Sequence, residues 1–100
     1  MPELVAMIQT TWPNIRVALY KHENGRFQFR EEGLDESANR ISWQRAESIF
    51  FDDIVAAKTA MLHHYCELTE DEHTVVPESV TILEPPDFKG PHHPVLTPAR

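Results

Sequence analysis

One hundred residues are enough chain for one domain that buries its own core without staples. Apolar residues at 41% and charged residues at 25% are ordinary globular values, which argues against wholesale disorder. The net charge of −7 repels phosphate backbones at long range, and a single cysteine, Cys66, leaves no intramolecular disulfide to form.

That cysteine usage fits a reducing cytoplasm. The opening Met-Pro-Glu-Leu-Val-Ala has no basic region and no long apolar run, so no signal peptide is expected. No stretch approaches the ~18 apolar residues needed to span a bilayer, so no membrane role is expected. The charge is uneven. Arg16, Lys21, Arg26, Arg30, Arg40 and Arg45 nearly balance the acids of residues 1–50, whereas residues 51–100 are strongly acidic. The pattern predicts one mixed-to-basic surface and one acidic surface.

Along the chain, Leu4, Met7 and Ile8 have helical spacing after Pro2, which predicts a short N-terminal helix over Glu3 to Trp12, with a strand as the rival. Ile15 to Glu31 holds two alternating runs, I-R-V-A-L-Y-K and R-F-Q-F-R-E, around E-N-G, the composition of a β-hairpin. A two-residue Asn24-Gly25 turn would split the apolar residues between faces. A three-residue loop, Glu23-Asn24-Gly25, with Gly25 left-handed at a G1 bulge, pairs Lys21 with Phe27, Leu19 with Phe29 and Val17 with Glu31. Then Ile15, Val17, Leu19, Phe27 and Phe29 share one face. The bulged form is therefore predicted.

Glu32 to Asn39 reads as a loop, and Arg40 to Arg45 alternates as a third strand with Ile41 and Trp43 toward the core. Asp52 or Asp53 is a helix N-cap for the run that follows, about residues 53–68. Ile54, Ala57, Met61, Tyr65 and Leu68 form one helical stripe, widened by Val55 and Leu62. Thr74-Val75-Val76 and Val80 to Leu83 are short apolar pieces, one of which could add an edge strand. Five of the eight prolines lie in residues 85–100, which predicts an extended or flexible tail with Phe88, Val95 and Leu96 as apolar handles. The expected fold is α+β. Residues 1–84 form one domain, in which a three-stranded antiparallel sheet packs on one amphipathic helix, and the tail follows.

No motif assembles a nucleophile, a base and an orienting group, so an enzyme is not expected. His63, His64, Cys66 and His73 cluster in sequence, and His63 and Cys66 share a helix face. A zinc site needs about four ligands, usually from two elements, so the simpler reading is two exposed histidines and a half-buried cysteine. His92 and His93 make a weaker pair. The acidic setting of Cys66 argues against a low-pKa nucleophile. Asp52-Asp53 reads as a cap and Glu70-Asp71-Glu72 as a solvated loop. No metal and no cofactor is expected.

The hairpin's second face carries Arg16, Ala18, Tyr20, His22, Arg26, Gln28 and Arg30. Of these, Arg16, Tyr20, Arg26, Gln28 and Arg30 are the candidate binding residues, suited to nucleic acid or to an acidic protein surface. Three strands followed by I-F-F-D-D-I-V-A-A-K-T-A resemble the strand-to-helix join of AP2-type and integrase arm-type DNA-binding domains, over about fifty residues. The resemblance implies that arrangement and a link to nucleic acid. The chain departs from it in net charge and in lacking strands dense in Arg and Trp, and no DNA-contacting residue is carried over.

The expected function is that of a small acidic non-catalytic binding protein acting by protein–protein interaction. Its sharpest form is an inhibitor from a phage or other mobile element, anti-CRISPR-like, that occupies host nucleic-acid machinery. The alternative is a nucleic-acid-binding domain using the basic hairpin face. Self-association through a sheet edge or the helix stays open.

Overall fold

The computed structural model describes residues 2–9, 14–35, 40–46, 48–69 and 80–85. Five strands and one helix follow in order: β1 (Glu3–Gln9), β2 (Ile15–Lys21), β3 (Phe27–Asp35), β4 (Arg40–Ala46), α1 (Ile54–Thr69) and β5 (Ile82–Leu83). The strands form one antiparallel sheet in the order β4-β3-β2-β1-β5. The first four strands are a meander. The chain then crosses one face as α1 and returns as β5 beside β1. The architecture is α+β, as the sequence pattern predicts, but among the described residues the sheet has five strands instead of three and the expected N-terminal helix is absent.

The hairpin has the bulged register. Val17 faces Glu31, Leu19 faces Phe29 and Lys21 faces Phe27. The His22 N–H donates to the Arg26 carbonyl at 2.8 Å and the Gly25 N–H to the His22 carbonyl at 2.9 Å. Gly25 has φ +84°, the left-handed backbone that only glycine adopts without strain. The Asn24 side chain accepts from the Arg26 N–H and holds the turn from inside.

This register sends Val17, Leu19, Phe27 and Phe29 to one face. There they meet Ala6 and Ile8 of β1 and Ala57, Met61 and Tyr65 of α1. Phe51, Ile54, Ala60, Leu62, Val80 and Ile82 seal the margin. Each fully buried Met- or Leu-sized side chain contributes roughly 1.5–3 kcal/mol relative to exposure. The helical stripe holds at Ala57, Met61 and Tyr65 and weakens at Ile54, which is half-buried. Val55, expected to widen it, points outward at 66% exposure.

The N-terminal segment is a strand, not a helix, and its spacing explains the mismatch. Leu4 pairs with Tyr20, but Ala6 pairs with Leu19, so Val5 is an extra residue at a β-bulge. The bulge puts Leu4 and Met7 on one face and Ala6 and Ile8 on the other. An i, i+3 pair therefore shares a face without any helix. β1 is also hydrogen-bonded on both sides, by β2 and β5, a tertiary setting that overrides a short helical pattern.

β3 runs on through Glu32 to Asp35, which the sequence assigns to a loop. A second bulge, at Ser42, separates Ile41 from Trp43. Ile41 pairs with Leu34 and is fully buried on the face away from the helix. Trp43 pairs with Gly33 on the helix side and is 46% exposed. The two therefore do not share the core-facing side that simple alternation predicts. The Thr74 to Val76 piece, most of the Pro-rich tail and His73 lie outside the described residues.

The helix start resolves the choice between the two aspartates. The Asp53 carboxylate accepts from the Ala56 N–H at 3.1 Å and the Asp53 carbonyl from the Ala57 N–H at 3.0 Å, so Asp53 is the N-cap. Asp52 makes an exposed ion pair with Arg26 at 3.0 Å instead. Chemical denaturation should report this difference: Asp53→Ala should cost about 1 kcal/mol, and Asp52→Ala about 0.2–1 kcal/mol with the loss shrinking as salt is added.

Candidate functional site

The face of the sheet away from α1 is built from alternate residues of β2 and β3. Arg16 is opposite Glu32, Ala18 opposite Arg30, and Tyr20 opposite Gln28. Four of the five candidate binding residues, Arg16, Tyr20, Gln28 and Arg30, thus come together. Arg26 does not join them, because it lies at the hairpin turn with Asp52.

These four side chains are not a solvated basic surface. Arg16 and Tyr20 are fully buried, Gln28 is 7% exposed and Arg30 8%. Leu4, Met7 and Ile41 are buried on the same side. Glu32, fully buried, is the residue that makes this tolerable. Its Oε1 accepts from Arg16 Nε at 2.7 Å and its Oε2 from the Tyr20 hydroxyl at 2.6 Å. Arg16 also reaches the Tyr20 oxygen at 3.5 Å and the Met7 sulfur at 3.8 Å. The Arg30 guanidinium stacks on the outer ring of this group, 4.7 Å from the Tyr20 centroid. It donates to Gln28 Oε1 and to Gln44 Oε1 of β4. His22 closes the chain against Gln28 at 3.0 Å. Among the described residues no buried side-chain nitrogen or oxygen lacks a hydrogen-bond partner.

Tyr20 records the consequence. Burial pushes its phenol well above the ordinary value of 10, the Glu32 charge and hydrogen bond push it further, and Arg16 opposes them. The phenol stays neutral and donates to a carboxylate that is itself paired with a cation. Sequence reasoning missed Glu32 by ending the strand one residue early. The signal was present, because carrying the Val17–Glu31 register one step further pairs Arg16 with Glu32.

On the helix side, Glu31 Oε1 accepts from His64 Nε2 at 2.6 Å, and the His64 ring sits 5.1 Å from Phe29. His64 is therefore a tether between α1 and β3, not one of two exposed histidines. His63 is exposed and Cys66 is half-buried. Among the described residues no three His, Cys, Asp or Glu side chains converge as metal ligands, and no helix is long and apolar enough to cross a membrane.

A second set of side chains faces outward. α1 packs over β1, β2 and β3 and leaves β4 outside its footprint. The uncovered helix-side strip of β4 carries Arg40, Trp43 and Arg45, opposite Asp35, Gly33 and Glu31. All three are exposed. Gly33 positions the tryptophan: a Cβ there would lie 1.9 Å from the indole nitrogen. The absence of that atom lets the indole lie across the strand. Past the end of β4, Ile49 and Phe50 are exposed before Phe51 pairs with Phe27, and Val55 is exposed in the first turn of α1. No family model, curated protein or solved structure matches the chain.

Two outcomes test the buried cluster. Glu32→Ala leaves the Arg16 charge buried without its carboxylate and should destabilise by about 3–5 kcal/mol, whereas the apolar pair Arg16→Met with Glu32→Leu should cost much less; urea unfolding of both variants measures this. Tyr20 gives the pH dependence. Its fold-stabilised neutral form contributes fully below pH 10, and the contribution falls as pH rises above that value, by about 1.4 kcal/mol per pH unit. Tyr20→Phe should abolish this alkaline slope in unfolding midpoints while lowering stability at neutral pH.

Proposed function

We propose that this protein is a small acidic, non-catalytic binding protein that acts by protein–protein contact through the β4 side of its sheet. One observation carries the reading: a tryptophan is held half-exposed between two exposed arginines on a strip of sheet that the helix leaves uncovered. Trp and Arg dominate the residues that carry binding energy in protein interfaces. In its sharper form, the partner belongs to host nucleic-acid machinery and the protein is a phage or mobile-element inhibitor of the anti-CRISPR kind. Small size and a net charge of −7, which suits competition for basic surfaces by the acidic surface outside the arginine-bearing β4 strip, support that form.

The nucleic-acid reading through the hairpin face loses its support from burial. Arg16 and Arg30 lie inside the fold, engaged with Glu32 and with Gln28 and Gln44, and cannot meet a phosphate without the sheet opening. Immobilised protein exposed to a bacterial extract should retain a specific protein, and Trp43→Ala should lose it while Arg26→Ala keeps it. Tight nucleic-acid binding at low salt with no retained protein overturns the proposal.

A further inference from the structure

We infer that the β4 strip is a docking site for an extended acidic segment of another protein, one that carries an aromatic or aliphatic residue between two carboxylates. This rests on the protein-contact reading above and specifies the chemistry of the partner.

Charge is the first argument. Arg40 and Arg45 project from the helix-side surface of β4, and neither side chain has a hydrogen bond or ion pair among the described residues. The nearest acid across from Arg45, Glu31, is engaged by His64. The other arginines behave differently. Arg16 and Arg30 are buried in the polar cluster, and Arg26 holds Asp52. Asp35 lies opposite Arg40 but forms no ion pair with it, so in a chain of net charge −7 two cations without an ion-pair partner among the described residues stand beside an exposed tryptophan. The rest of the charge is screened beyond roughly 8 Å at physiological ionic strength, so contact-range complementarity decides.

Shape is the second argument. β4 is the outermost strand, with no further strand beside it among the described residues. Arg40 and Arg45 face Asp35 and Glu31, four residues apart on β3, which sets them roughly 13 Å apart across the Ser42 bulge. An extended peptide laid along the strip would set carboxylates four residues apart on one face, with the middle side chain of that face on the Trp43 indole. Gly33 fixes the height of that indole. The Ser42 bulge twists the edge, which disfavours long uninterrupted strand addition and leaves side-chain recognition as the main source of specificity.

A second copy fits poorly. Antiparallel pairing centred on Trp43 would face Arg40 with Ala46 and Arg45 with Ile41, and would gather four arginines with no acid opposite. A nucleic acid fits poorly as well, since two cations are few phosphate contacts for a chain of this net charge.

The test uses the full chain and a fluorescently labelled peptide with tyrosine between two glutamates, alongside the same peptide with lysine for glutamate and a mixed-sequence single-stranded oligonucleotide. The acidic peptide should bind and the lysine peptide should not. Trp43→Ala should weaken binding roughly thirtyfold, the size expected for a central interface anchor. The double reversal Arg40→Glu with Arg45→Glu should abolish it and transfer binding to the lysine peptide. Circular dichroism keeps misfolding separate from lost contact, since all three positions are exposed. No binding of the acidic peptide, or binding indifferent to these variants, overturns the inference. So does sedimentation showing a dimer that Trp43→Ala dissociates. If the peptide fails while Trp43→Ala still loses the protein retained from extract, only the acidic chemistry is wrong. Preferential oligonucleotide binding that Trp43→Ala removes overturns both proposals.

Discussion

The register between β2 and β3 governs both sides of the sheet. With Leu19 opposite Phe29 and Arg16 opposite Glu32, one face receives the apolar side chains that α1 covers and the other receives a closed polar cluster. A slip of one residue would turn every side chain of one strand to the opposite side. It would drive a buried arginine against Met61 and leave Glu32 without its cation. The loop Glu23-Asn24-Gly25 enforces the register locally, and Gly25 is the residue whose backbone permits that loop.

The polar cluster is an unusual use of a sheet face in so small a chain. Burying an ion pair costs desolvation that the mutual attraction offsets only with good geometry and satisfied hydrogen bonds. Here Glu32 has both oxygens engaged, Tyr20 bridges the pair, and Arg30 stacks on the ring. A purely apolar pair at the same positions would tolerate more than one register. The charged pair tolerates one, because any other leaves a bare charge inside.

This inward use of charge redistributes what the surface offers. Three of the arginines in the first half of the chain are occupied within the fold, leaving Arg40 and Arg45 on the strip that α1 does not reach. Trp43 stands between them on the backbone of Gly33. The proposed binding through this strip rests on where the helix ends its coverage. α1 is anchored at Asp53, over the middle strands, and by His64 to Glu31.

Local chemistry was legible in the chain: the hairpin and its three-residue loop, its register, the extent of the helix and the apolar core face. These follow from alternation, from Asn-Gly turn chemistry and from the spacing of Ala57, Met61 and Tyr65, all of which act between near neighbours. The tertiary structure alone decided the rest. Bulges at Val5 and Ser42 broke the two-residue period, so β1 read as a helix and Trp43 as a core residue. Such insertions are set by the partner strand and leave no mark in a single sequence. Burial of Arg16 and Arg30 was likewise invisible, because a polar strand face looks the same whether it meets water or a carboxylate such as Glu32 on the neighbouring strand.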